Sequence, residues 1–253
     1  MVHFVGAGPG APDLITLRGA ALLEAADQVI YTGSLVNPAL LERCRPDCRI
    51  LDSAGMTLEE VMDAVFHAEE EGRTTVRLHT GDPSIYGAIR EQMDALTKRG
   101  IAWDVTPGVS SFCGAAAALG AEYTLPGVSQ TVILTRMAGR TPVPKGEELA
   151  ALAAHGSSMA IFLSAGMLKE LERELCRGAY TESTPAALVY KASWPEEKTI
   201  RCTVGTLAES AGRHGIRKTA LVLVGDFLEG NYDRSRLYDP GFTTGYRKGE
   251  DSA

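Results

Sequence analysis

The stretch Val5–Asp13, which reads VGAGPGAPD, decides the fold, because it joins a short apolar run to an amphipathic segment. Such a change of pattern predicts a strand, a tight glycine loop and a helix with Asp13 as its N-cap and Leu17 on its apolar face, the opening of an α/β domain. A second stretch, Gly81–Gly87 (GDPSIYG), stands in the same position behind the strand-like run Val76–Leu78. Loops of this kind present free backbone N–H groups to polar ligands at the carboxyl edge of an open sheet. The two stretches therefore predict a ligand site at that edge.

The glycines of the first loop do not match the dinucleotide fingerprint. Gly6, Gly8 and Gly10 are one residue short of the G-x-G-x-x-G spacing. Pro9 lacks the amide N–H that a pyrophosphate would bind. Dinucleotide-binding domains also carry an acidic residue at the end of the second strand, which hydrogen-bonds the ribose. That residue is missing here, where the predicted strand ends in Ile30–Gly33. A different ligand is favoured, and a Rossmann-type NAD-dependent oxidoreductase stays as the alternative from another class on the glycines alone.

Predicted strands and helices alternate along the first half of the chain. Thr57 and Glu60 form a capping box before a periodic apolar segment, which Gly72 is expected to end. A third loop, Thr106–Ser111 (TPGVSS), follows its own predicted strand and supplies two hydroxyl groups at a helix start. This alternation indicates a largely parallel sheet, with the three loops converging at one edge.

The alternation breaks at Ala121–Ser129, where proline and glycine interrupt the pattern. Beyond this break several predicted strands are joined by connections too short for crossover helices, so a second sheet with antiparallel pairs is expected. We therefore predict two α/β domains, 1–120 with a largely parallel sheet and 121–230 with a mixed sheet, and a polar tail at 231–253. The active site is expected in the cleft between the domains, a common place for ligands.

The composition disfavours several functional classes. The 253 residues carry a formal net charge of -7, so attraction to a nucleic-acid backbone is not expected. No stretch approaches the roughly 18 apolar residues of a membrane span, and the first residues lack a signal-peptide pattern, so a cytoplasmic location is expected. Five cysteines, an odd number, favour reduced thiols. Cys44 and Cys48 have no second ligand pair, so no protein-bound metal is expected.

Three blocks together resemble the tetrapyrrole methylases, the class III S-adenosylmethionine-dependent methyltransferases. They are Gly6–Arg18 (GAGPGAPDLITLR), Arg77–Gly87 (RLHTGDPSIYG) and Thr106–Ser111. Within that family, four further segments are similar to the precorrin-4 C11-methyltransferases: Gln130–Arg136, Gly139–Pro144, Val189–Pro195 and Arg234–Asp239. The resemblance runs from about residue 2 into the tail. It implies a homodimer that transfers a methyl group to ring carbon C11 of precorrin-4, or cobalt-precorrin-4, in cobalamin (vitamin B12) biosynthesis.

The resemblance also implies site residues, position by position. The cofactor would be S-adenosyl-L-methionine, folded compactly and held mostly by main-chain contacts, with S-adenosyl-L-homocysteine as the product. The cofactor-binding residues so implied are Pro9, Gly81, Asp82, Pro83, Ile85, Ser110, Ser111, Leu163, Ala192 and Ala220. Of these, Leu163, Ala192 and Ala220 would enclose the adenosine, although plain core packing is an equally good explanation for Leu163 and Ala220.

The tetrapyrrole substrate would bring several carboxylates to a protein of negative net charge. Cationic side chains beside the family segments are therefore candidates for binding them. These candidates are Arg136, Arg140 and Lys191, and the arginines suit bidentate pairing with a carboxylate.

One departure from the family concerns acid/base chemistry. The related uroporphyrinogen methylases carry an aspartate after the second strand and a lysine after the third, where this chain reads Tyr31–Gly33 and Asp52–Ser53. The ring carbon is enamine-like and already nucleophilic, so no general base is assigned and alignment with exclusion of water is expected. His79 either packs beside the second loop or approaches the substrate. A sister methylase at another ring position, a methylase of diphthamide or ribosomal RNA, and a non-catalytic tetrapyrrole carrier stay open.

Overall fold

The computed structural model describes residues 1–249, apart from the side chain of Ser34, and within them the chain forms ten strands and seven α-helices. Two compact units are present. The first comprises Met1–Ala118 together with Val189–Lys198, and the second comprises Leu119–Leu188 and the chain from Thr199 onward. The segment Val189–Lys198 therefore packs with the first unit although it includes the connection between two strands of the second sheet.

The first unit contains a five-stranded sheet in the order β3-β2-β4-β1-β5. Its four pairs of neighbouring strands are all parallel. The strands are β1 (Val2–Gly6), β2 (Gln28–Tyr31), β3 (Arg49–Asp52), β4 (Thr75–His79) and β5 (Trp103–Thr106), and the helices are α1 (Leu17–Ala25), α2 (Leu58–Glu70), α3 (Arg90–Lys98) and α4 (Ser111–Leu119). Because parallel strands need crossover connections, helices return the chain and cover both faces.

Two apolar clusters lie on the two faces of this sheet. On one face Val5, Val76 and Leu78 pack with residues of α1. On the other face Phe4 and Ile30 pack with residues of α2 and α3. The central strand β4 is buried along its whole length, although it carries the polar residues Thr75, Arg77 and His79.

Helices α1 and α2 of the first unit each begin at a side chain that caps them. The predicted capping box at Thr57 and Glu60 is confirmed, with both reciprocal hydrogen bonds present. The expectation that Asp13 caps the first helix is wrong, because Asp13 lies in a short 3-10 turn and Thr16 accepts the hydrogen bond from the Gly19 N–H instead. The predicted packed face is also wrong, because Leu17 is 93% exposed whereas Gly19, Ala20 and Leu23 are buried.

The second unit contains a five-stranded sheet in the order β6-β7-β10-β8-β9. Strands β6 and β7 are parallel, whereas β7 and β10 are antiparallel. The strands are β6 (Val132–Arg136), β7 (Ser158–Phe162), β8 (Pro185–Tyr190), β9 (Lys198–Thr203) and β10 (Ala220–Val224), and the helices are α5 (Leu149–Ala153), α6 (Leu168–Cys176) and α7 (Leu207–Arg213). The predicted fold class, a parallel first sheet and a mixed second sheet in an α/β protein, is confirmed.

Candidate active site

Three glycine loops meet at the carboxyl edge of the first sheet, as predicted. Gly6, Gly81 and Gly108 approach one another backbone to backbone. A Cβ atom added to Gly108 would stand 2.2 Å from the Gly81 carbonyl oxygen, and one added to Gly6 would stand 2.6 Å from the same oxygen. Real Cβ contacts do not reach such distances, so this arrangement depends on glycine at these positions.

Backbone hydrogen bonds join the first loop to the second. The Gly81 N–H donates to the Gly8 carbonyl at 2.8 Å, and the Gly8 N–H donates to the Gly81 carbonyl at 3.2 Å. The Ala7 N–H donates to the His79 carbonyl at 2.7 Å. Gly8 and Gly81 both have positive φ angles, 80° and 60°, which lets these two turns face each other.

The carboxylate of Asp82 joins the second loop to the third. Its Oδ2 accepts a hydrogen bond from the Gly108 N–H at 2.8 Å, and its Oδ1 accepts from the Ser84 N–H at 2.9 Å and from the Ser84 hydroxyl. Partial burial alone would raise the pKa of Asp82, but the hydrogen bonds from Ser84 and Gly108 hold it below its ordinary value. Asp82 is therefore charged at neutral pH and acts as a link between two loops.

The third loop leads into α4, which packs on the first loop. The Ser110 carbonyl accepts hydrogen bonds from the Cys113 and Gly114 N–H groups in the first turn of the helix. A Cβ atom on Gly114 would stand 2.8 Å from the Pro9 Cβ and 3.5 Å from the Ala192 Cβ. Pro9, Ala192 and α4 are thus brought together within the first unit, although the predicted second domain, 121–230, includes Ala192.

The segment Val189–Lys198 lies directly on the first loop. The Trp194 indole Nε1 donates to the Pro9 carbonyl at 3.1 Å, and the Ala11 N–H donates to the Ser193 hydroxyl at 2.9 Å. Lys191 lies over the Trp194 ring, with Nζ 4.8 Å from the ring centroid, and pairs with Glu196 at 3.5 Å. The predicted substrate residue Lys191 is therefore placed near the first loop.

Pro83 and Ile85 lie in the second loop of the first unit, whereas the predicted site residues Leu163, Ala220, Arg136 and Arg140 lie in the second unit. Leu163 directly follows β7 and is 69% exposed with a φ of 53°. Continuing the antiparallel β7–β10 register, in which Val222 pairs with Ile161, places Ala220 opposite Leu163. An exposed leucine in the left-handed region is an uncommon arrangement that is found mostly at functional sites.

Arg136 and Arg140 differ in how they are used. Arg136 donates from Nη1 and Nη2 to the carbonyls of Met137, Thr141 and Pro142, so it braces the loop that follows β6. Arg140, within that loop, is exposed. Sequence reasoning treated the two arginines alike, whereas the structure gives only Arg136 a bracing role.

Comparison with known protein families identifies the family to which this chain belongs. A sequence model of the family described as "Tetrapyrrole (Corrin/Porphyrin) Methylases" matches residues 1–208. The cobalt-precorrin-4 C(11)-methyltransferase of Methanocaldococcus jannaschii is 52% identical over 248 residues, which are 98% of this chain and 96% of that protein. The chain belongs to the tetrapyrrole methylases.

Two solved structures are similar to this methylase along most of its length. A cobalamin biosynthetic enzyme, cobalt precorrin-4 methyltransferase, has a TM-score of 0.88 and 46% identity, covering 90% of this chain and 95% of that one. The uroporphyrin-III C-methyltransferase from Thermus thermophilus, complexed with S-adenosylhomocysteine, has a TM-score of 0.76 and 26% identity, covering 90% and 93%. The predicted family and its two-sheet fold are confirmed.

The methylase carries two buried polar atoms near the carboxyl edge of its first sheet. His79 Nε2 and Thr32 Oγ1 have no hydrogen-bond partner in the described part of the chain. Burial, with a further contribution from Arg77, lowers the pKa of His79 to about 3, so its ring is neutral at physiological pH. Of the two roles left open for His79, packing beside the loop is the one that its 3% exposure supports. Residues 1–249 contain no group of three or more His, Cys, Asp or Glu side chains that could hold a metal ion.

Sequence reasoning missed the roles of Ser193, Trp194 and Asn37 in holding the first loop. Asn37 caps the short 3-10 helix that follows it through its Oδ1, and its Nδ2 also donates to the Gly10 carbonyl at 2.9 Å. The block Val189–Pro195 was noted for family similarity alone. No local sequence pattern predicts these contacts, since they join residues 27 to 185 positions apart.

Proposed function

We propose that this methylase transfers a methyl group from S-adenosyl-L-methionine to ring carbon C11 of precorrin-4, or of cobalt-precorrin-4, in cobalamin biosynthesis. The observation that carries the proposal is the 52% identity with a cobalt-precorrin-4 C(11)-methyltransferase over 98% of the chain. The similar solved cobalt precorrin-4 methyltransferase supports it at the level of the fold.

The residues of the first unit fit an adenosyl sulfonium cofactor. Gly6, Gly81 and Gly108 leave an edge without Cβ atoms, where backbone groups are able to approach a ligand closely. The charged carboxylate of Asp82 stands in this edge and favours a cationic ligand. We propose that the cofactor is held by Pro9, Gly81, Asp82, Pro83, Ile85, Ser110, Ser111, Leu163, Ala192 and Ala220. The Thermus thermophilus methylase complexed with S-adenosylhomocysteine supports this choice of cofactor.

The reaction requires alignment rather than proton removal from the nucleophile. Bound S-adenosylmethionine supplies a methyl group activated by its positive sulfur. The chain reads Tyr31–Gly33 and Asp52–Ser53 where the related uroporphyrinogen methylases carry an acid/base pair, and the neutral, buried His79 is not suited to exchange protons near pH 7. The chain therefore contributes by fixing the three loops and by keeping water away from the reacting atoms.

Substrate binding requires cations for the tetrapyrrole carboxylates. We propose Arg136, Arg140 and Lys191 for this role. Arg140 is exposed and able to reorient, whereas Arg136 has three of its donor contacts in use with loop carbonyls. Arg140 should therefore contribute more of the pairing with the substrate.

The decisive test is methylation of precorrin-4 and of cobalt-precorrin-4 by the purified protein with S-adenosylmethionine. We expect a product heavier by one methyl substitution, with position-specific carbon labelling placing the new methyl at C11. A methyl at another carbon would identify a sister methylase. An unchanged mass in both preparations, while the preceding pathway enzymes are active, would contradict the proposal.

Calorimetric titration separates this proposal from the other functional classes. We expect S-adenosylhomocysteine to bind with micromolar affinity and NAD to show no heat of binding. NAD binding without S-adenosylhomocysteine binding would indicate an oxidoreductase. Tetrapyrrole binding without methyl transfer from labelled cofactor would indicate a carrier.

We also propose that the methylase is a cytoplasmic homodimer. The family resemblance supports the dimer, and free cysteines at all five described positions are compatible with a reducing compartment. Among residues 1–249 no helix has the length and apolar character needed to cross a bilayer. Sedimentation equilibrium measures the molecular mass and so checks the subunit number. The mass of a single subunit at micromolar protein concentration would contradict the dimer.

A further inference from the structure

Two consecutive peptide units of the first glycine loop, Pro9–Gly10 and Gly10–Ala11, are held by three side chains from distant parts of the sequence. The Pro9 carbonyl accepts from Trp194 Nε1 at 3.1 Å, and the Gly10 carbonyl accepts from Asn37 Nδ2 at 2.9 Å. The Ala11 N–H donates to the Ser193 hydroxyl at 2.9 Å. In a surface loop such backbone groups would ordinarily be hydrogen-bonded to water. Here side chains bind them instead, which is unusual and leaves the loop little freedom to move.

The indole of Trp194 also covers the loop. A Cβ atom on Gly10 would stand 2.0 Å from Trp194 Cδ1 and 2.8 Å from the Ala192 carbonyl oxygen. Pro9 and Gly10 are both buried, and Pro9 has a fixed φ angle of its own. The contact is therefore shape-specific as well as hydrogen-bonded.

The segment that supplies Trp194 and Ser193 is itself held in a strained conformation. Lys191 and Ser193 have positive φ angles of 48° and 64°, which non-glycine residues adopt at a cost in free energy. The Ser193 N–H donates to Glu197 Oε2 at 2.5 Å, and the Trp194 N–H donates to the Lys191 carbonyl at 3.0 Å. Such strain persists only where surrounding contacts enforce it.

We propose that Trp194 and Ser193 are positioning residues that preset the first glycine loop for the cofactor. The inference deepens the proposed function and depends on its choice of cofactor. The same loop is hydrogen-bonded through Gly8 to Gly81 in the second loop, so fixing Pro9 to Ala11 also restrains the edge where the cofactor is proposed to bind. A preset loop loses little freedom on binding, and this lowers the dissociation constant of the ligand.

The test is the affinity of S-adenosylhomocysteine for Trp194→Phe, with Trp103→Phe as the matched control. Trp103 is the other tryptophan of the chain, and its Nε1 also makes one hydrogen bond, to Thr97 Oγ1 at 3.0 Å. It pairs with Val2 at the opposite end of β1 from the loop. Both variants lose one indole donor, so a general loss of stability should be alike in the two. We expect about a tenfold rise in the dissociation constant for Trp194→Phe, as for one lost hydrogen bond, and less than twofold for Trp103→Phe.

A second variant separates the hydrogen bond from backbone strain. Ser193→Gly relieves the strain at a φ of 64° but removes the acceptor of the Ala11 N–H. We expect weaker S-adenosylhomocysteine binding despite the relief, a raised KM for S-adenosylmethionine and an unchanged kcat at saturating cofactor. Hydrogen exchange of the ligand-free protein should show loss of protection at the Ala11 amide in this variant and not in Trp103→Phe.

Failure of this inference is distinguishable from failure of the proposed function. If wild-type protein does not bind S-adenosylhomocysteine, the choice of cofactor is wrong, and with it the positioning role given to Trp194 and Ser193. If wild-type protein binds but Trp194→Phe and Ser193→Gly bind as tightly as Trp103→Phe, the positioning role is overturned while the cofactor stands. An Ala11 amide that is already unprotected in the wild type would also overturn it.

Discussion

Asp82 links two of the three glycine loops through hydrogen bonds from the Gly108 and Ser84 N–H groups. We predict that Asp82→Ala raises the dissociation constant of S-adenosylhomocysteine by about 10- to 100-fold, because hydrogen bonds to a charged group contribute about 1.5–3 kcal/mol. Asp82→Asn keeps an oxygen acceptor and should lie between wild type and Asp82→Ala. Titration calorimetry measures all three.

The matched control for this prediction is Asp94→Ala. The Asp94 side chain is about half exposed on α3 and pairs with Arg90 at 3.1 Å. Surface ion pairs of this kind contribute little to the stability of a protein. Wild-type affinity in Asp94→Ala is expected. Wild-type affinity and activity in Asp82→Ala as well would show that the link between the loops is not needed.

His79 makes the stability of the methylase depend on pH. Its pKa is lowered from 6.5 to about 3, first by burial and second by Arg77, so below pH 6.5 the unfolded chain binds a proton that the folded chain does not. The free energy of unfolding should therefore fall as the pH drops from about 6.5 towards 3, by at most about 1.4 kcal/mol per pH unit. Between pH 6.5 and about 5.5 carboxyl groups contribute little, since their unperturbed pKa values are about 4.

The variant His79→Gln should flatten this slope. Denaturant unfolding followed at pH 6.5, 5.5 and 4.5 compares it with wild type and with His155→Gln, a change of the same kind at an exposed histidine. The slope of His155→Gln should equal that of wild type. A wild-type slope in His79→Gln would mean that other groups cause the acid sensitivity.

At the scale of secondary-structure elements, the convergence of three strand ends leaves no room for side chains. We predict that Gly108→Ala lowers both stability and cofactor affinity, because its Cβ would stand 2.2 Å from the Gly81 carbonyl oxygen and the loops must separate. Gly55→Ala is the control, since nothing lies within 4 Å of its added Cβ. Thermal unfolding and S-adenosylhomocysteine titration of both variants test this. Equal behaviour would contradict the packing.

In helix α7 a glycine-to-alanine substitution is expected to stabilise the protein rather than destabilise it. Gly212 lies inside Leu207–Arg213, and an added Cβ would meet nothing within 4 Å. Alanine loses less conformational freedom than glycine when a helix forms, so Gly212→Ala should stabilise the protein by about 0.5–1 kcal/mol. A lowered unfolding midpoint in guanidinium chloride would contradict the exposed helical environment.

At the scale of the whole molecule, a ligand that binds only the folded state should raise the melting temperature. With S-adenosylhomocysteine at about 100 times its dissociation constant, mass action adds about 2.7 kcal/mol. For a chain of this size that corresponds to a rise of roughly 5–11 °C. The same concentration of NAD should leave the midpoint unchanged, and a rise with NAD alone would contradict the proposed cofactor.

Much of the architecture was predictable from the chain, because its signals are local. The 3.6- and 2-residue periodicities, the Thr57–Glu60 capping box and the glycines after apolar runs each involve only a few neighbouring residues. The start of α1 was misplaced because Asp13 and Thr16 are both good caps, and the 3-10 turn that separates them has no distinctive sequence.

The sequence by itself determined the two α/β sheets, the glycine loops at the edge of the first and the membership of the tetrapyrrole methylases. Only the tertiary structure decided the partners of the loops: Gly108 for Asp82, Trp194 for Pro9 and Ser193 for Ala11. The reason is physical. Periodicity and capping are set by residues within a turn or two, whereas a hydrogen bond between residues 26 to 185 positions apart forms only after the sheet and its helices have packed and brought the two atoms together.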